Sequence, residues 1–307
     1  MRLGLRKQHG VIPGFHLSLG FTTFYLGLVV LIPLSAVFLR ASGLSWPEFC
    51  AAAFGERELN AYRVTFLTAF CAAAINAIFG TILAWVLERY TFPLRRLVDA
   101  LVDLPFALPT AVAGIALTAI YGKNGWIGRW LDPEGAFFSI HKLEFLGLEF
   151  SGVRVAYSSI GIFVAMAFVG LPFVVRTLQP VIAELEPDME ESAATLGASR
   201  LFILWKVILP QLVPAILTGV ALAFARALGE YGSIVFISGN KPNETEIAAL
   251  RIITKLEEES GASGTLAPYS TATAVALVML TASFLLLLLV NILQRWSRRL
   301  AVPPQRK

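Results

Sequence analysis

The segment EESAATLGASRLFILWKVILP, from Glu190 to Pro210, is a polar and alanine-rich stretch between two long apolar runs. It opens with acidic residues, has Gly197 in its first half and ends in Leu-Pro. Small alanines keep one helix face slim enough for a groove, and the neighbouring acids offer charge complementarity. The segment therefore predicts a projection from an apolar body toward a partner. The alternative, favoured by composition alone, is an ordinary helical surface loop.

Local signals divide residues 184–206 into two short helices. Pro187 suits the first turn of a helix, and the acids beside it suit the positive end of the helix dipole. Gly197 fits a left-handed C-terminal cap. Ser199 is typical of the N-cap of a second helix, which continues into the next apolar run. The pattern predicts a helical elbow over residues 184–206.

The runs on either side of the elbow indicate a membrane protein. Of 307 residues, 56% are hydrophobic and 15% are charged, whereas soluble domains carry about 25% charged residues. An uncharged run of about 20 residues is long enough to cross a bilayer as a helix. Six runs reach or approach this length: Leu17–Leu39, Val64–Leu87, Leu104–Gly122, Val155–Val175, Val207–Ala225 and Ala272–Ile292. The helix formed by the fifth run is expected to extend to residue 230.

Helices fit these runs better than a membrane barrel, because the runs are long and continuous. Barrel strands show alternation over about 10 residues, and lipid requires every backbone polar group to be paired within the structure. We predict an all-α fold, a polytopic helical bundle with six transmembrane helices. One exception is KLEFLGLEF, residues 142–150, whose alternation predicts a short strand or hairpin.

Arginine and lysine predict the orientation of the chain. They concentrate before the first helix, after the second, between the fourth and fifth, and after the sixth. Such segments stay cytoplasmic by the positive-inside rule. We expect a cytoplasmic tail over residues 1–16, a membrane domain over 17–294 and a basic cytoplasmic tail over 295–307. The basic tails fit topology signals better than nucleic-acid patches.

The third predicted helix opens with DLPFALPTAVAG, which contains Pro105 and Pro109. Both prolines remove a backbone donor and bend a helix. The bend indicates either a kinked packing helix or a helix that lines a translocation path and gate. Asp99 and Asp103 stand just before it and fit interfacial charges better than a proton relay, which needs acids deep in the membrane.

Arg226 and Glu230 stand one helical turn apart near the end of the fifth predicted helix. Charges within membrane segments are costly and face a bundle interior or water. One interpretation is a packing ion pair that neutralises itself. The other places Arg226 on the translocation path or at a gate, where it favours a dianion.

The spacing within the elbow resembles a motif of ABC importer permeases, E-A-A-x3-G-x9-I-x-L-P. Glu191-Ser192-Ala193 precedes Gly197, and Val207 precedes Leu209-Pro210 at the matching distances. Ser192 and Val207 depart from the motif by small or conservative changes. The resemblance implies a surface that couples to a separate ATPase, formed by Glu190, Glu191, Ser192, Ala193, Ala194, Gly197, Leu209 and Pro210.

Further stretches narrow the resemblance to sulfate/thiosulfate importer permeases of the T-type. These are IPGFHLSLGFT (12–22), DLPFALPTAVAG (103–114), PFVVRTLQPV (172–181) and ARALGEYGSIVFISGN (225–240). The resemblance covers most of the chain except residues 130–154. It implies the type I ABC importer permease fold and a multi-pass protein of the bacterial inner membrane with both termini cytoplasmic.

The same resemblance implies the partners. They are a second, W-type permease, a dimer of ATP-binding subunits and a periplasmic sulfate-binding protein, besides membrane lipid and without nucleic acid. This chain has no G-x-x-x-x-G-K-[ST] stretch, so it lacks that phosphate-binding loop. We therefore expect a transport subunit that is not an enzyme and has no cofactor of its own. ATP and magnesium would be bound by the partner ATPase.

Two other transporters remain as alternatives. A molybdate or tungstate permease shares the ARALGE-like segment and carries a tetrahedral oxyanion, but is typically shorter at its N-terminus. A stand-alone secondary anion transporter would show inverted repeats or deep ionisable residues and would leave the elbow unexplained. A membrane enzyme would need a cluster of catalytic side chains at membrane depth, and the sequence shows none.

Overall fold

The computed structural model describes residues 14–133, 143–145, 148–150, 152–263 and 270–301. Its helices are α1 (Phe15–Leu26), α2 (Ile32–Ala41), α3 (Trp46–Ala53), α4 (Glu56–Arg89), α5 (Arg95–Val102), α6 (Leu104–Ala107), α7 (Thr110–Tyr121), α8 (Gly128–Leu131), α9 (Ser159–Ala183), α10 (Pro187–Thr195), α11 (Arg200–Ile203), α12 (Leu209–Leu228), α13 (Ile234–Ile237), α14 (Ala248–Ser263) and α15 (Ser270–Ala301). Two π-helical turns, Gly27–Leu31 and Leu204–Ile208, join α1 to α2 and α11 to α12.

The predicted hairpin is confirmed. Strands β1 (Leu143–Phe145) and β2 (Leu148–Phe150) pair antiparallel. The predicted cytoplasmic tails fall largely outside the described residues. Only residues 14–16 of the first tail are described, and α15 carries the second tail as far as Ala301.

The predicted helical membrane bundle is confirmed. Five helices in the described part of the chain are long and apolar enough to cross a membrane: Leu17–Ala41, Glu56–Arg89, Ser159–Ala183, Arg200–Leu228 and Ser270–Ile292. They match the first, second, fourth, fifth and sixth predicted runs. The fold depends on these helices, since each pairs its own backbone groups as lipid requires.

The third predicted run differs from expectation, because it is broken rather than bent. It consists of α6, four residues long, and α7, twelve residues long. Between them, Leu108 and Pro109 are extended, with ψ of 136° and 134°. Pro109 has no backbone donor, and its ring disfavours helical geometry at the preceding Leu108. The described chain therefore has a short apolar helix, α7, where a full crossing was predicted.

Two helix boundaries also differ from the prediction. The fourth helix continues past residue 175 to Ala183, although it contains Pro172 and Pro180. The fifth begins at Arg200, before the predicted residue 207, because the helix capped by Ser199 continues into it as expected, and it ends at Leu228, before Glu230. Each π-helical turn comes just before a proline, Pro33 or Pro210. A wider turn keeps the backbone carbonyl of the preceding turn away from the proline ring.

The core of the bundle consists of α4, α9 and α12, which pack against one another along much of their length. Small residues make these contacts close. A Cβ on Gly80 would lie 2.9 Å from Val174 Cγ1, and a Cβ on Gly219 would lie 2.9 Å from the Val174 Cα. Among the described residues, two side-chain hydrogen bonds join α4 to α9: Asn76 Nδ2 donates to the Ala167 carbonyl at 2.9 Å, and Thr68 Oγ1 donates to Met166 Sδ at 3.4 Å. Small residues allow helices to approach closely in lipid.

The other long helices surround this core. α15 contacts α2, α3, α12 and α14, and α14 contacts α4. The span Leu17–Ala41 faces outward, and the most apolar part of it has no buried residue. These contacts place α4 and α14 side by side at one end of the bundle.

Filling the contact at Gly219 should destabilise the fold. Gly219→Val places branched carbon against the α9 backbone, and overpacking of this kind costs about 1–3 kcal/mol. We expect a lower midpoint of thermal unfolding in detergent. Gly20→Val in α1 is the matched control, because a Cβ there meets nothing within 4 Å. Equal midpoints for the two variants would contradict the close α9–α12 contact.

Candidate functional site

The elbow forms as its sequence predicts. α10 begins at Pro187, and Gly197 adopts a left-handed conformation with φ of 85°. Ser199 caps the following helix, because its hydroxyl oxygen accepts a hydrogen bond of 3.3 Å from the Phe202 amide. The two helices therefore meet at Gly197, where a side chain would strain the backbone.

Apolar side chains on the elbow are uncovered in this chain. Leu196 is 88% exposed, Leu201 is 70% exposed and Trp205 is 63% exposed. The motif residues Glu191, Ser192 and Ala194 are exposed as well. An exposed apolar patch beside polar residues is typical of a surface that binds another protein or lipid.

An ion pair between Arg89 and Glu190 fixes the elbow to the helix bundle. Arg89, the last residue of α4, donates from Nη2 to Glu190 Oε1 in α10 at 2.7 Å. The Arg89 guanidinium also lies over the Trp85 ring, 5.1 Å from its centroid. The sequence prediction missed this pair, because the partners are 101 residues apart in the chain. Opposite charges on two predicted cytoplasmic segments were its only sequence signal.

Arg226 and Glu230 form the predicted ion pair. Arg226 Nη1 lies 2.7 Å from Glu230 Oε2, and the Glu230 side chain is 2% exposed. The other carboxylate oxygen accepts hydrogen bonds from the Ser233 amide at 2.9 Å and the Ser233 hydroxyl at 3.0 Å. Glu230 is therefore a buried, fully bonded carboxylate, and Ser233 is a member of this site that the sequence prediction missed.

The proline break lies beside this ion pair. Thr110, the first residue of α7, has its Oγ1 so close to Gly232 that a Cβ on the glycine would overlap it. Likewise, a Cβ on Gly114 would overlap the Ser233 carbonyl. The structure thus brings the Pro109 break next to the segment after Glu230. Pro105 lies in α6, which packs on α9 through an edge-to-face contact of Phe106 and Phe173.

Asp99 and Asp103 bind a common partner that the sequence prediction missed. Arg176 donates to Asp103 Oδ1 from Nε at 2.8 Å and to Asp99 Oδ1 from Nη1 at 2.6 Å. Arg176 belongs to α9, whereas the prediction placed it in a loop. Burial raises the pKa of Asp99, but hydrogen bonds from Gln179 and Arg176 outweigh it and hold the pKa below its usual value. Asp99 is therefore a charged anchor for α5.

A second set of charges joins α4 to the α14 region at the other end of α4. Arg57 binds Glu246 through Nε at 2.6 Å and Nη2 at 2.8 Å, a bidentate pair. Glu58 is buried and lies 2.9 Å from Arg251 Nε and 3.0 Å from Lys255 Nζ. Both acids, Glu58 and Glu246, are buried, and the sequence prediction missed them.

A cavity of about 830 Å³ opens beside the end of α7. Its charged lining residues are Lys123, Arg154, Lys241 and Asp132, so cations exceed anions. Asp132 is buried and lies 3.7 Å from Arg154 Nε. A positive lining raises the local concentration of anions.

The sequence and the fold of this chain are similar to those of known transport proteins. Residues 64–299 match the family described as binding-protein-dependent transport system inner membrane component. The sulfate transport system permease protein CysT of Escherichia coli is 46% identical over 290 residues, which cover 94% of this chain and 96% of the relative. The protein of the same name from Synechocystis is 43% identical, covering 91% of this chain and 89% of the relative.

This chain belongs to the family of binding-protein-dependent transport system inner membrane components. The predicted relation to T-type sulfate permeases is confirmed. A crystal structure of a bacterial ABC transporter for alginate import has the same fold, with a TM-score of 0.67 and 15% identity, covering 92% of this chain and 94% of that chain. The predicted permease fold is therefore also confirmed.

The Arg226–Glu230 pair predicts unequal effects for its two neutral variants. Arg226→Gln leaves a buried carboxylate with hydrogen bonds but no cation, so we expect a loss of about 2–3 kcal/mol in unfolding free energy. Glu230→Gln leaves Arg226, which is 35% exposed and can reach water, so its loss should be smaller. Thermal unfolding in detergent measures both, and the double variant should resemble Glu230→Gln. If Glu230→Gln were less stable than Arg226→Gln, the buried carboxylate would not be the member of the pair that depends on its partner.

Proposed function

We propose that this chain is a permease subunit of an ATP-driven importer that carries sulfate and thiosulfate into the cytoplasm. The observation that carries the proposal is the exposed elbow with its importer motif, held at one end of a membrane helix bundle. The names of the curated relatives, which are sulfate transport permeases, support sulfate as the substrate class. The cation-rich cavity is consistent with an anionic cargo.

In this proposal, the elbow is the docking surface for a separate ATPase. Glu190, Glu191, Ser192, Ala193, Ala194 and Gly197 lie in or just after α10, and Leu209 and Pro210 lie after the π-helical turn. Exposed Leu196 and Leu201 add apolar contact area. Helix-in-groove docking uses this combination of slim, apolar and charged faces. Closure of a dimer of ATP-binding subunits would move the elbow and rock the helices between two access states.

The remaining parts of the proposal concern the partners and the nucleotide. A second, W-type permease would complete the translocation path, and a periplasmic sulfate-binding protein would deliver the anion. ATP and magnesium would bind the partner ATPase, leaving this chain without a nucleotide site of its own. Both termini would face the cytoplasm, as the distribution of basic residues favours.

We further propose that the Arg226–Glu230 site and the Pro109 break form part of a gate. The support is their adjacency, since Thr110 and Gly114 of α7 touch the Gly232–Ser233 segment. A broken helix beside a glycine-rich turn is typical of transporter sites where backbone lines a cavity. Pro105 would act through α6 on the same break.

The alternatives make different predictions. A molybdate or tungstate permease would import those oxyanions in preference to sulfate, and competition by each anion against labelled sulfate distinguishes the two. A stand-alone secondary transporter would import sulfate without an ATPase. Membership of a binding-protein-dependent family favours the importer over the latter.

The proposal is tested by uptake of radiolabelled sulfate into vesicles that contain this chain with its candidate partner permease, ATPase and receptor. Uptake should require ATP. Glu191→Lys should lower it about tenfold, equivalent to about 1.4 kcal/mol of coupling free energy, because it reverses the charge of the docking surface. Glu56→Lys, which reverses an exposed carboxylate at the other end of α4, is the matched control. Uptake indifferent to ATP and to Glu191 would refute the importer.

The gate proposal has its own test in the same vesicles. Arg226→Gln should lower the preference for sulfate over a monovalent anion about fivefold, since one cation beside a path contributes about 1 kcal/mol. Glu230→Gln preserves Arg226 and should keep this preference. Transport and selectivity unchanged in Arg226→Gln, with normal amounts of assembled complex, would assign the ion pair to packing alone.

A further inference from the structure

The elbow has few side-chain bonds to the bundle that holds it. Among the described residues, α10 makes two such bonds to other elements. One is the Arg89–Glu190 ion pair of 2.7 Å, and the other is a long contact of 3.9 Å between Gln211 Nε2 and Met189 Sδ. The ion pair is therefore the main bonded contact between α10 and the core helices.

The Arg89 side chain is packed in place at the end of α4. Its side chain is 23% exposed, and the Glu190 side chain is 32% exposed, so both groups are partly shielded from water. The Trp85 ring lies under the guanidinium. Arg89 Nε is buried without a hydrogen-bond partner. Because the guanidinium is flat and packed on Trp85, forming this ion pair costs less side-chain entropy than pairing two mobile surface side chains would.

The helix that ends at Arg89 is a long, unbroken rod. α4 has 34 residues and is therefore about 50 Å long at a rise of about 1.5 Å per residue. α9 and α12 continue directly into the elbow through the backbone, but α4 does not. Arg89 thus gives the elbow a bonded connection to the one core helix that is distant from it in sequence.

The far end of α4 is bonded to the segment that follows the candidate gate. Arg57 and Glu58, in its first turn, bind Glu246 and the α14 residues Arg251 and Lys255. Lys255 Nζ also donates to the Ala52 carbonyl at 2.9 Å, which includes α3 in this cluster. The chain from Glu230 through α13 leads directly into these residues. Movement of α4 would therefore act on both ends of the bundle.

We propose that the Arg89–Glu190 ion pair couples the elbow to α4, and that α4 carries the displacement to the α14 region beside the candidate gate. The inference rests on the proposed function and reassigns Glu190, which is paired with Arg89, from contact with the ATPase to positioning of the elbow; Arg89 is likewise a positioning residue. They act on the transport step through α4 and contact neither nucleotide nor anion. The tight packing of α4 on α9 provides a second route, so the ion pair should affect efficiency of coupling rather than assembly.

The test is a charge swap in the reconstituted importer. Arg89→Glu and Glu190→Arg each place like charges together, and we expect each to raise the number of ATP molecules hydrolysed per sulfate imported about fivefold. The double variant R89E/E190R restores an ion pair and should return this ratio to within about twofold of the wild-type value. A swap that restores nothing, in a complex that assembles normally, would overturn the proposal.

A matched pair of arginine variants controls for topology and docking. Arg89→Gln and Arg96→Gln each remove one positive charge near the same end of α4, and Arg96 is exposed. We expect only Arg89→Gln to raise the ratio of ATP hydrolysed to sulfate imported. Equal effects of both would assign the result to charge near the membrane and overturn the proposal. Failure of wild-type uptake would instead refute the proposed function.

A distance measurement tests the same idea without substituting either member of the pair. Spin labels on cysteines at Tyr90 and Thr195, with Cys50 and Cys71 replaced by serine, report the separation of α4 and α10. We expect this distance to stay the same with and without ATP, because the elbow and α4 move together. A change of several ångströms on ATP binding would show that the elbow slides past α4 and would overturn the coupling.

Discussion

Close contact of α4, α9 and α12 is the constraint on which the other features depend. Lipid offers helices no hydrophobic reason to associate with one another, so association relies on van der Waals contact between small residues. Gly80 and Gly219 bring backbone against the Val174 region of α9 from two sides. This packed trio positions Arg89 at one end and Arg57 and Glu58 at the other. The packing of these three helices therefore fixes the geometry at both ends of the bundle.

Charge in the described residues is concentrated where helices end, and every buried charged side chain among them lies in an ion pair. Arg176 joins α5 and the α6 entry to α9, while Arg57 and Arg251 join α4 to the α14 region. Unpaired charges are expensive in a low-dielectric setting, so each such pair also fixes a distance between elements. The ion pairs thus connect the ends of helices whose apolar faces are already closely packed. The Arg226–Glu230 pair differs, because it lies beside a broken helix.

Glycine and proline set the places where the bundle departs from regular helix. Pro109 breaks the third apolar run, and Gly232 lets Thr110 of α7 approach closely. Pro210 follows a π-helical turn, Leu204–Ile208, that spans the junction of the elbow with α12. Regular helices transmit displacement with little bending, whereas these irregular points can change geometry at lower cost. They separate the rigid parts of the subunit from its adjustable parts.

The sequence by itself determined the helical membrane fold, the caps of the elbow at Gly197 and Ser199, and the Arg226–Glu230 pair. Each of these rests on hydropathy or on interactions within a few residues. The tertiary structure decided which charges meet across the bundle, as in Arg89 with Glu190 and Arg176 with Asp99 and Asp103. It also decided that Pro109 breaks its run, because two prolines tolerated within α9 show that proline alone does not end a helix. Ion pairs between residues 70 to 200 positions apart depend on how whole helices pack. A pattern within a few residues does not specify that packing.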